Sequence, residues 1–177
     1  MMTKVLEVSI PAASSVTRML KRVDFSDAYE AKLSRPKLDA QAAYAAIFGQ
    51  QPRWVKILLS LRGVFANIAG LKHPKITDVG EIEASRSRRP YVIGDRVGLF
   101  PVQAISANEL TLGLDDKHLN FRVSVFRSSE STTEKVTIST VVELNNSLGR
   151  AYLFVIKPFH KLIVRSIIER ALKLGRI

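Results

Sequence analysis

Between Arg96 and Leu144 apolar and polar residues alternate with a period of two, and on either side of that stretch the spacing lengthens to that of a helix. The segments RVGLFPVQAI (96–105), ELTLGLD (109–115), LNFRVSVFR (119–127) and EKVTISTVVEL (134–144) each put their apolar side chains on one face, as half-buried strands do. SAN, DKH and SSESTT separate them, and these residue types bond their own backbone in turns. Links this short predict an antiparallel meander. One face gathers Leu110, Leu112, Leu119, Phe121, Val136, Ile138, Val142 and Leu144, and the other Glu109, Thr111, Arg122, Ser124, Thr137 and Ser139. The expectation is a sheet with one dry and one wetter side.

Upstream, DFSDAYEAKL (24–33) reads as a first strand, ended by Arg35-Pro36. Asp39 is a helix cap for the Ala-rich DAQAAYAAIF, which Gly49 stops. Pro52 opens a second helix, in which Trp54, Ile57, Leu58, Leu61 and Phe65 share a side. Residues 72–94, with Pro74, Gly80, Pro90 and Gly94, form a long connection expected to be the mobile part of the chain. Residues 1–22 read as a flexible lead-in to a single domain over 23–177.

After the meander, Asn146 and Ser147 can cap a helix whose apolar residues recur to Leu174, before Gly175. At about 100° per residue, Phe159, Ile163, Val164, Ile167, Ile168 and Ala171 share one half-cylinder, and Lys161, Arg165, Glu169 and Lys173 lie opposite. His160 falls near the centre of the apolar half. A dry sheet face needs a cover, and this helix follows it directly. The fold class expected is therefore α+β: an antiparallel sheet against a long C-terminal helix, with two helices inserted after the first strand.

Composition narrows the function classes. At 177 residues, 46% apolar and 24% charged, the chain suits one globular domain. It has no cysteine, which excludes disulfides, thiolate metal sites and a cysteine nucleophile, and the cytoplasm is the expected compartment. Glu7 and Pro11 interrupt the apolar content of the first residues, a poor secretory signal, and the run from Trp54 to Leu71 carries Lys56, Arg62 and Asn67, which argues against a membrane span. The formal charge of +11 raises the question of nucleic acid or anionic lipid. Only RSRRP (86–90) is densely basic, and no nucleic-acid motif with internal spacing occurs, so nucleic acid is not expected.

Three histidines, His73, His118 and His160, have no metal-ligand spacing between them, and neither a phosphate loop, a dinucleotide fingerprint nor a GxSxG elbow is present. No metal or cofactor is expected. Asp115 and Asp116, next to His118, could serve acid/base chemistry, but in DDKH between two strands they read first as a hairpin turn. His160 has two readings: a buried imidazole bonded to a polar partner, or the polar end of a ligand cavity. Pro158 is accounted for by a bend or a helix start.

IGDRVGLFPV (93–102), DDKHLNFRVSV (115–125) and TVVELNNSLGRAYLFVIKPFH (140–160) resemble, in that order, a family of bacterial proteins catalogued as a domain of unknown function. The resemblance runs from about residue 20 to 174 and brings no established activity with it. More distantly, the element order is similar to the helix-grip superfamily, START-like and polyketide-cyclase-like, in which a curved sheet wraps a C-terminal helix around a cavity. That likeness implies an apolar or lipid-like small-molecule ligand. Positions in the matching motifs and on the dry face then supply the candidate ligand contacts: His160, Phe159, Tyr152, Arg150, Arg122, Phe121 and Phe100. The primary reading is a non-enzymatic binding module. The alternatives are a cyclase- or isomerase-type enzyme using His160 or His118 as general acid/base, and a peripheral protein meeting anionic lipid through Lys157, Lys161, Arg165 and Lys173.

Overall fold

The computed structural model describes residues 4–34, 38–49, 90–97, 100–130 and 133–177. Among them are strands β1 (Leu6–Glu7), β2 (Phe25–Lys32), β3 (Arg96–Val97), β4 (Phe100–Ile105), β5 (Glu109–Asp115), β6 (Leu119–Glu130) and β7 (Thr133–Leu144), with helices α1 (Ala40–Phe48) and α2 (Ser147–Lys173). The strands form one antiparallel sheet in the order β1-β2-β7-β6-β5-β4-β3. The meander from β3 to β7 is followed in space by the earlier strand β2, which pairs along its whole length with β7. The result is an α+β, helix-grip-like arrangement. The second expected helix and most of the 72–94 connection lie outside the described residues.

Asp39 caps α1 as its side chain accepts the amide of Ala42 at 2.7 Å. Ala40, Ala43, Tyr44 and Ile47, at helical spacing, are buried in the main core with Val164, Ile167, Ile168 and Ala171 of α2 and the inner sheet residues Tyr29, Leu110, Val125 and Ile138. Both helices therefore sit on one side of the sheet. Small alanines on α1 let its axis come close to α2 and the sheet.

Two expectations are corrected. The stretch 96–105 is not one strand: Arg96 and Val97 turn back to pair with Pro101 and Phe100, and only β4 continues onto β5. Gly94, at φ +90, and the amide of Val102 bonding to Asp95 O hold this fold-back, which ends the sheet in a short, self-covered edge. The polar face is not wet either, since Thr111, Ser124, Thr137 and Ser139 are 0% exposed. The N-terminal segment contributes to that burial: β1 pairs with β2, and the turn of residues 16–18 places the fully buried Val16 near β6 and β7.

Candidate functional site

Register aligns the inner side chains of the sheet into cross-strand rows. Phe25, Val142, Phe121 and Leu114 form one, and Tyr29, Ile138, Val125 and Leu110 another. Between them runs Asp27, Thr140, Val123, Leu112 and Val102. Two of its members are polar, and they are neighbours: Asp27 is 6% and Thr140 5% exposed. A strand's period of two puts Asp27 in phase with Phe25, Tyr29 and Ala31, so its carboxyl is forced to the apolar side.

The helix α2 crosses β2 and β7 here and brings His160 to the carboxyl, with Nε2 3.3 Å from Asp27 Oδ1. The Asp27 side chain is 1% exposed and that of His160 23%, so the pair opens outward only on the imidazole side. Asp27 Oδ2 is buried and has no hydrogen-bond partner among the described residues. It is one of seven such buried side-chain atoms among the described residues, and the one that belongs to a carboxyl; a buried acceptor left unmade costs about 1–3 kcal/mol, and more when charged.

Apolar and aromatic groups frame the pair. The His160 ring meets Phe25 edge-on at 6.2 Å, and the ammonium of Lys157 lies 5.2 Å from the Phe25 centroid. Phe25 and Tyr152 pack against the cluster of Leu119, Phe121 and Val142, and Phe100 meets Phe121 edge-on at 4.9 Å. Burial first, and then the carboxylates of Asp27 and Glu7, push the phenol of Tyr29 above its ordinary range.

Of the residues singled out from the sequence, the structure brings His160, Tyr152, Phe121 and Phe100 to this inner side. Arg122 belongs to the opposite face. Its guanidinium makes two hydrogen bonds to Asp115, at 2.7 and 3.1 Å, over Gly113, where a Cβ would stand 2.5 Å from the Arg122 stem. Arg150 is exposed at the start of α2, and Phe159 is 48% exposed beside the equally outward Phe154, Val155 and Leu162. The lipid-facing set is partly spoken for: Lys161 binds Glu7 at 2.8 Å and Arg165 binds Glu169 at 3.0 Å.

His118 is engaged elsewhere. It ends the β5–β6 turn, where the amide of Asp116 bonds to Leu119 O, as expected of DDKH. Its Nδ1 lies 2.9 Å from Nδ2 of Asn146, the cap of α2. Asn146 also donates to Lys117 O and accepts from the amide of Gly149, and Asn145 donates to Asp116 O. The two most distinctive sequence stretches thus clamp the β5–β6 turn to the start of α2. His160 is fourteen residues beyond that cap, about 20 Å of helix rise, so the two histidines do not converge.

A second buried polar group escaped sequence reading. Glu109, 6% exposed on the other face, accepts hydrogen bonds from Ser14, Ser15 and Ser124. Burial alone would push its carboxyl up, but these donors and the amide of Ser15 together hold it below the ordinary carboxylate range.

The fold and the buried pair define a class: an α+β helix-grip-like domain with an acid–imidazole contact on the helix-covered side of its sheet. The chain belongs to the family described as protein of unknown function (DUF2867), whose family model matches residues 19–167. No curated protein and no solved structure matches it. No helix among the described residues is long and apolar enough to cross a membrane.

Proposed function

We propose that this chain is a binding module for a largely apolar small molecule, held between the inner sheet face and α2 with Asp27 and His160 as its polar anchor. The observation that carries this reading is Asp27 itself, an almost fully buried carboxyl on the helix-covered face beside Thr140, with one oxygen unpartnered among the described residues. A carboxylate in that position costs stability unless it is paired on all sides, and an aliphatic side chain would fill the row more favourably. A group that opposes folding and sits beneath a covering helix is better explained by what it holds.

Native mass spectrometry of the protein purified from cells tests this. The expected result is a co-purifying small-molecule mass that is lost in Asp27→Leu, while circular dichroism and the melting temperature of the variant stay at or above those of the parent. A parent that carries no such mass, with a more stable Asp27→Leu, leaves the pair as a structural contact and overturns the reading.

The same contact favours a second reading, an isomerase- or cyclase-type enzyme. With Nε2–H donated to Asp27 Oδ1, the carboxylate orients the ring and Nδ1 is the atom that takes and returns a proton. Chemical change of the co-purified molecule by the parent, absent with His160→Ala, separates this from binding alone.

A further inference from the structure

Independently of what the inner side holds, we infer that the outward side of α2 docks on an anionic lipid bilayer. Between Leu148 and Leu162 this helix rests on the sheet with one side only: Gly149 is buried, and Tyr152, Leu153, Ile156 and His160 are half-buried at helical spacing. The opposite side is apolar as well. Leu148, Val155, Phe159 and Leu162 fall within about 60° of one another at about 100° per residue, and all four are exposed. Single apolar residues are ordinary on a surface, but four in one stripe along about 21 Å of helix mark a place of contact.

Charge chooses the occupant. From Ser147 to Ile168 the helix carries Arg150, Lys157, Lys161 and Arg165 and no acid. These four share an arc of about 80° beside the stripe, and Phe154, 82% exposed, falls among them. Glu7 pairs with Lys161 and Glu169 with Arg165, but both pairs are open to water, where such bonds are worth little, so either cation can turn to a phosphate. A nucleic acid would engage the cations and leave Val155 and Leu162 in water. A second copy would bring together two chains of net charge +11, with no acid on this side of the helix to answer the cations. An anionic bilayer meets both parts at once, with acyl chains for the stripe and phosphates for the arc. Because no helix among the described residues is long and apolar enough to cross a membrane, α2 lies along the surface.

Sedimentation of the full chain with vesicles tests this, using phosphatidylcholine alone and an equimolar mixture with phosphatidylglycerol, each in low and in high salt. The parent is expected to bind the mixed vesicles about ten-fold more tightly than the neutral ones, and to lose most of that advantage in high salt. Phe154→Ser combined with Phe159→Ser is expected to weaken binding to the mixed vesicles about ten-fold at an unchanged melting temperature. Val92→Ser combined with Ile93→Ser, exposed apolar residues outside α2, is expected to leave binding as it was. Arg150→Gln combined with Lys157→Gln should lower binding to the mixed vesicles only. A parent that binds neither vesicle, or both equally, overturns the inference. So does full binding by the Phe154 and Phe159 variant, which would reduce the contact to the attraction of any polyanion. If that variant melts well below the parent, the chain itself covers this side, and if it dissociates a parent dimer, a second copy does; either result also overturns the lipid assignment.

Discussion

Gly149 stands where a Cβ would lie 2.1 Å from the carbonyl oxygen of His118, a backbone atom fixed by its own bond from the amide of Asn145. Nothing there can yield without shifting the β5–β6 turn. Gly149→Ala is therefore expected to destabilise the protein by about 2–3 kcal/mol, read as a lower urea midpoint with an unchanged slope. Glu109 makes a prediction about acid. Its folded pKa is lowered, so its contribution is fully present above the unfolded value near 4.5 and is lost as the pH falls through the folded value. Glu109→Gln should cost about 1–3 kcal/mol at pH 7, and the gap between parent and variant should shrink as both are titrated below about pH 4. A gap that stays constant through the acid range would mean that the carboxyl does not titrate differently in the folded state.

At the scale of elements, α2 is anchored at its start by polar contacts and over its last three turns by apolar packing. Val164, Ile167, Ile168 and Ala171 are buried against α1 and the sheet, whereas between Leu148 and Leu162 the outward residues Phe154, Val155 and Phe159 stay exposed. The early half of the helix thus depends on its cap, on Tyr152 packed against Leu119, Phe121 and Val142, and on His160. Asn146→Ala removes the acceptor of the Gly149 amide and the donor to Lys117 O together, and is expected to cost about 1–2 kcal/mol. Hydrogen exchange should then speed up in the first turns of α2 and not in its last turns; uniform acceleration would show that the cap supports the whole fold instead.

The molecule as a whole is closed by pairings between the ends of the chain. The early strand β2 lies between β1 and the last strand β7, and Ser14 and Ser15 reach across to Glu109. Removing residues 1–22 would take away β1, the buried Val16 and three of the donors to the buried carboxyl of Glu109. The truncated chain is expected to melt at least 10 °C lower than the parent, since each such loss is worth on the order of 1 kcal/mol or more. An unchanged melting temperature would show that these contacts add nothing.

Much of this architecture was legible in the sequence. The period of two placed β5, β6 and β7 within a residue or two at their starts, Asp39 and Asn146 marked both helix caps, and the helical wheel picked out Val164, Ile167, Ile168 and Ala171 as the covering face of α2. These are local properties, dictated by side-chain direction along a strand or helix and by the unpaired amides at a helix start. Phe159 belonged to the same wheel yet is exposed, because the wheel records direction around an axis and not where the neighbouring layer ends.

The site was legible only in part. Asp27 shares the phase of Phe25, Tyr29 and Ala31, and Thr140 fills the polar gap between Ile138 and Val142, so alternation alone could have marked both. Their adjacency could not be read, because it needs β2 to pair with a strand more than a hundred residues away in register Asp27 to Thr140. The sequence by itself determined the strands, the caps and the presence of an imidazole on an apolar helix face. Tertiary structure alone decided that this imidazole meets a carboxyl and that His118 serves the helix cap. The physical reason is that strand pairing and helix docking join residues by the burial of whole faces, which no window of neighbouring residues contains.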